Sequence, residues 1–166
     1  VKDSVASFFK KYDLSTVISV SQDDNTQYCM CDNCSEIHDR EGSPAGSMIY
    51  FVNQIAKSFP DKTISTLAYQ YTRKPPLTKP ESNVLITLCS IECDRSIPID
   101  EGCKDFQSDL IGWSKLTENI RIWDYTTQFT NFLAPFPNWG TIKPNINLFV
   151  NNNAKWIFEQ HSNNPS

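Results

Sequence analysis

Short β-branched or apolar runs alternate along this chain with longer stretches in which apolar residues recur every three or four positions. Residues 16–24 begin apolar at Val17 and Ile18 and end polar, the profile of a buried strand that surfaces. Residues 63–71, 83–88, 121–125 and 154–159 repeat that profile. Between them the spacing is helical. Residues 2–12 read as the end of a helix. Ile49, Val52, Ala56 and Phe59 share one face of a second helix that opens at Ser43-Pro44 and stops at Pro60-Asp61. Phe106, Leu110, Trp113 and Leu116 mark a third, and a last helix falls near residues 144–151. The segment after Asp24 reads as a cysteine-bearing loop, and proline-rich residues 73–82 as an extended crossover.

Strands alternating with helices predict a parallel sheet with right-handed crossovers. The expected fold is α/β: a partial (β/α)8 TIM-type barrel of about five parallel strands, its C-terminal half, with flanking helices. A whole barrel takes roughly 250 residues. Residues 1–166 are therefore expected to form a single barrel-type domain from a larger protein, its remaining strands supplied by the parent barrel or by another copy.

Each predicted strand ends in polar and aromatic residues: Gln22-Asp23-Asp24-Asn25, Tyr69-Gln70-Tyr71, Ser90-Ile91-Glu92, Trp123-Asp124-Tyr125 and Glu159-Gln160-His161. In a (β/α) barrel the catalytic groups come from the C-terminal ends of several strands. Polar strand ends also arise simply because they meet water, and an Asp-Asp-Asn run is a common turn signal. Carboxylates at four of the five ends, interleaved with Trp and Tyr, favour a site for sugars. Aromatic rings stack on pyranose faces, and glycosidic bonds are cleaved by two carboxyl groups in different protonation states. Asp24, Asp23, Asp124 and Glu159 are the catalytic candidates. Gln22, Asn25, Tyr69, Tyr71, Glu92, Trp123 and Tyr125 are the candidates for substrate binding. No G-x-S-x-G elbow and no phosphate-cradling glycine loop occurs.

Composition narrows the partners. A net charge of −4 argues against nucleic acid, and no apolar run approaches a membrane span. Six cysteines are many for a cytosolic chain of this size and point to a secreted, periplasmic or cell-surface setting. Cys29, Cys31 and Cys34 form a tight triplet that suits either disulfide chemistry or a structural zinc completed by His38 or a distant cysteine. No cofactor is required; a structural zinc is the one such group the cysteines could hold.

Several of these motifs together resemble a known family. Residues 19–25, the Tyr28-Cys-Met-Cys-Asp-Asn-Cys34 run, Glu41-Gly-Ser43, residues 66–71 with Pro75-Pro76, residues 88–93, residues 122–125, Pro135-Phe-Pro137 and Phe158-Glu-Gln160 are similar to a bacterial domain of unknown function, DUF4838, frequent in gut Bacteroides. That family in turn resembles α-glucuronidase and hexosaminidase-like barrels within secreted polysaccharide-degrading proteins. The resemblance implies a glycan substrate of uronic acid or N-acetylhexosamine type. In the hexosaminidase pattern Asp23 would orient the acetamido group and Asp24 would be the general acid. In the α-glucuronidase pattern Asp24 would act with Asp124 or Glu159. The ending His161-Ser-Asn-Asn-Pro165 does not reproduce the relatives' His-Gly ending. The alternative reading is a non-catalytic carbohydrate-binding or structural domain of a larger surface protein.

Overall fold

A computed structural model describes residues 1–131 and 134–161; residues 162–165 of the ending noted above fall outside them. The elements run α1 (Lys2–Lys11), β1 (Val17–Ser19), α2 (Asp32–Glu41), α3 (Ala45–Ala56), β2 (Thr63–Ala68), a 3-10 turn (Gln70–Thr72) and β3 (Val84–Cys89). They continue with α4 (Ile99–Gly102), α5 (Lys104–Leu116), β4 (Ile120–Tyr125), α6 (Ile142–Asn151) and β5 (Ala154–Gln160). The strands form a five-stranded sheet in the order β1-β2-β3-β4-β5. This is the expected α/β fold of five parallel strands with flanking helices, as in part of a TIM-type barrel. The chain divides into two compact units, Val1–Thr87 and Leu88–Ser166.

In the first unit, β1 pairs in parallel with β2, Ile18 opposite Ile64. The helix α3 lies against β2, and Ile49, Val52, Ile55, Ala56, Ile64 and Ala68 are buried. Burying each of the larger side chains contributes about 1.5–3 kcal/mol. Asn83 closes the C-terminal end of α3: its amide nitrogen donates to the carbonyls of Ala56, Phe59 and Lys62 at 2.9–3.0 Å. Ala56 O and Phe59 O also accept from the Phe59 and Lys62 N–H groups, so Asn83 braces the turns that follow the helix. Asn53 on α3 holds the proline-rich crossover, donating to Lys79 O and accepting from the Glu81 N–H.

The cysteine-bearing segment departs from expectation. Its second part is the helix α2, with Asp32 in the first turn, where an acidic side chain meets the positive end of the helix dipole. Gly42 ends it at φ +66, a left-handed cap that glycine adopts without a Cβ penalty. Two predicted strands are shorter than their apolar-to-polar runs. The first pairs only over Val17–Ser19, and β2 stops at Ala68 because Gln70 turns to φ +50.

In the second unit β4 and β5 pair in parallel. Ile120, Ile122 and Asp124 share one buried face of β4. Phe106, Leu110 and Trp113 of α5 and Phe149 of α6 complete this core, with the Phe106 and Phe149 rings 6.3 Å apart edge to face. A disulfide joins Cys93 to Cys103 across the loop that leads to α5. Cross-linking over ten residues removes about 3 kcal/mol of chain entropy from the unfolded state. Asn145 of α6 accepts from the Ile99 N–H, fixing the short helix α4 that no sequence pattern announced. Among the described residues no helix is long and apolar enough to cross a membrane.

Candidate functional site

Two groups of the candidate residues assemble, one within each unit. In the second unit the register of β4 and β5 sets Asp124 opposite Glu159 and Tyr125 opposite Gln160. Side chains alternate along a strand, so registered partners share a face. Asp124 is buried. Its Oδ1 accepts a short hydrogen bond from the Ser90 hydroxyl and lies 3.8 Å from Arg95 Nε. Arg95 is anchored by two further bonds, Nη1 to Cys93 O at 2.7 Å and Nη2 to Ser90 O at 2.6 Å. Its guanidinium also lies over the Tyr125 ring, 5.2 Å from the centroid. Burial pulls the Arg95 pKa down, and the charges of Asp124, Tyr125, Glu159 and Glu92 work against it.

Glu159 is the half-buried member of the pair. Burial first, then the neighbouring Asp124 charge, pushes its carboxyl up to about 7, with Arg95 pulling the other way. Two adjacent carboxyl groups are thus set apart by their surroundings: one inside an Arg-Ser cage, one able to hold a proton near neutral pH. On the opposite face of the same strands Trp123 meets Phe158 edge to face at 5.1 Å and donates from Nε1 to Gln160 Oε1 at 2.8 Å. Beyond the strand ends lies a cavity of about 500 Å³ lined by Thr126, Thr127, Phe136, Trp139 and His161 among others. Trp139 at its edge is 88% exposed.

In the first unit Asp24 and Tyr69 meet: the Tyr69 hydroxyl donates to Asp24 Oδ1 at 3.0 Å. Asp23, Asp24 and Asn25 are exposed, and Asn25 closes a turn by accepting from the Gln27 N–H. Gln22 is committed to the protein. Its amide donates to Tyr69 O and accepts from the Thr72 hydroxyl at 2.6 Å, tying β1 to the end of β2. Tyr71 stacks on Tyr28 with centroids 4.9 Å apart, and burial with the Asp23 charge raises its pKa. Glu92 is exposed on the turn after β3.

The cysteine triplet converges. The sulfurs of Cys29, Cys31 and Cys34 all lie within 4.8 Å of one another, and the Cys29 thiol points at Cys31 Sγ at 3.4 Å. Hydrogen bonds from the Cys34 backbone and from Cys29 lower the Cys31 pKa, whereas hydrogen bonding with Cys29 and Cys31 pushes Cys34 up to about 11. None of the three is disulfide-bonded.

Sequence reasoning missed Arg95, Ser90 as the Asp124 donor, Trp139 and Gln70. An arginine two residues after a half-disulfide carries no motif. Trp139 was visible only as one residue of a Pro-Asn-Gly loop. Gln70 holds a left-handed backbone that costs a non-glycine residue on the order of 1 kcal/mol or more. Its buried Oε1 has no hydrogen-bond partner among the described residues.

The strands and their acidic C-terminal ends define the class: an α/β domain of TIM-type construction with carboxyl groups at its strand ends. The chain belongs to the family described as "Domain of unknown function (DUF4838)", whose model matches residues 1–166. No curated protein matches it. One motif of the family resemblance proves structural. Glu41 is buried and accepts from the Thr78 N–H at 2.7 Å. Ser43 donates to Lys74 O at 2.6 Å, and Gly42 makes the turn between them.

Proposed function

We propose that this chain acts on a glycan through the Asp124–Glu159 pair, as a glycoside hydrolase-like domain. One observation carries the proposal: registered neighbours on adjacent strands whose surroundings separate their roles. Glu159, with its pKa near 7, serves as the proton-holding acid at the glycosidic oxygen. Asp124, beside Arg95 and Ser90, serves as the charged partner. Trp139, exposed beside the cavity past the strand ends, supplies a ring for stacking. The Cys93–Cys103 disulfide supports an oxidising compartment, as a secreted or surface polysaccharide-degrading protein needs.

The test is turnover of glycans ending in uronic acids or N-acetylhexosamines, followed by release of reducing sugar, in wild type and in Glu159→Gln. Loss of turnover by about 100-fold or more with retained binding supports the acid role. Equal turnover in the two proteins refutes it. A second reading, a non-catalytic carbohydrate-binding domain, is favoured by the exposed Trp139 beside its cavity. It predicts glycan binding without turnover in wild type, and binding lost in Trp139→Ala.

A further inference from the structure

We propose that Cys29, Cys31 and Cys34, with His38 as fourth ligand, form a zinc site that holds the segment after β1 to the helix α2. Zinc–thiolate bonds of about 2.3 Å at the tetrahedral angle separate sulfurs by roughly 3.8 Å. Here all three sulfurs already lie within 4.8 Å of one another and two are 3.4 Å apart, so small side-chain rotations reach that geometry. The sulfurs come from two directions, Cys29 and Cys31 from the extended segment and Cys34 from the first turn of α2.

His38 follows Cys34 by four residues on α2 and so lies on the same helix face. Cys29, Cys34 and His38 together line one cavity of about 240 Å³. The His38 ring is oriented by two contacts independent of the sulfurs: Nε2 hydrogen-bonds the Ser47 hydroxyl at 3.1 Å, and Tyr28 packs edge to face against it at 5.5 Å. A ligating histidine typically has its second nitrogen fixed by such a partner, which leaves Nδ1 for the metal; the ring lies outside the sulfur cluster and moves in on binding. The only disulfide among the described residues is Cys93–Cys103, and the triplet stays unbridged. Binding displaces the thiol protons, so three thiolates and a neutral imidazole hold one Zn²⁺. The clamp reaches the acidic strand end through its neighbours: Tyr28, directly before Cys29, stacks on Tyr71, and Asp24 accepts from Tyr69.

Metal content of the whole chain, purified without chelator, is the first measurement, with about one zinc per chain expected. The intact mass of the denatured, metal-free chain should show only the two hydrogens lost at Cys93–Cys103. Cobalt added to the metal-depleted chain should give thiolate-to-metal charge-transfer absorption, and zinc should raise Tm by about 10 °C at saturating concentration. Replacing His38 by Ala should speed zinc loss to a chelator by at least about tenfold, with the cobalt band retained. A chain lighter by two further hydrogens, or one taking up neither zinc nor cobalt, overturns the site. Unchanged zinc retention in His38→Ala overturns the fourth ligand.

Discussion

The two units present their acidic pairs in opposite ways. Asp23 and Asp24 are sequence neighbours, exposed just past the end of β1, where the Tyr69 hydroxyl donates to Asp24. Asp124 and Glu159 lie far apart in sequence and become neighbours only through strand register, where burial and Arg95 act on them differently. Adjacency in sequence advertises an acidic pair, but an acid–base pair needs unequal surroundings. Strand pairing supplies those here.

The largest test of that contrast is catalytic. Glu159→Gln and Asp124→Asn should each lower glycan turnover by about 100-fold or more, whereas Asp24→Asn should lower it by less than about tenfold, read from initial rates. Reversed sizes would move the chemistry to the first unit. Next is the cage itself. Arg95→Met keeps the aliphatic stem but leaves the Asp124 charge buried without its partner, which should cost about 3–5 kcal/mol in chemical denaturation. Exposed Asp24→Asn should cost less than about 0.5 kcal/mol by the same assay.

How far the sequence led depends on the kind of signal. The parallel α/β fold was legible because β2 and β3 are short continuous buried runs and α3 carries a clean helical repeat. The helix α2 was not, since its only apolar residue besides Cys34 is Ile37 and polar side chains fill the rest. All four catalytic candidates were nameable from strand-end position alone. Their pairing was not: register depends on which residues of β4 and β5 hydrogen-bond, and the irregularity between Ile120 and Arg121 shifts it. Arg95 was invisible because its role depends on the turn after β3 folding back over Asp124 and Tyr125.

A smaller test concerns the scaffold under each site. A Cβ at Gly46 would lie 2.2 Å from Glu41 Cγ, so Gly46→Ala must displace the carboxylate that caps Thr78. A loss of about 1–3 kcal/mol is expected in thermal or urea unfolding. Burial works to raise the Glu41 pKa, but hydrogen bonds from Thr78 and the Arg40 charge leave it lowered. Its contribution to stability is therefore present above its unfolded value and lost as pH falls through the folded value. Glu159 has the opposite sign. Its raised pKa favours the folded state at low pH, and that contribution is lost as pH rises from the unfolded value, about 4.3, through about 7. Glu159→Gln should flatten the decline of Tm over that window.

The most direct test follows the Glu159 carboxyl carbon by NMR through a pH titration, in wild type and in Asp124→Asn. A midpoint near 7 in wild type, falling part of the way toward the ordinary carboxylate range once the Asp124 charge is gone while burial remains, is the predicted result. An ordinary midpoint of about 4.3 in the wild-type protein would contradict the account, because Glu159 would then hold no proton at neutral pH to donate.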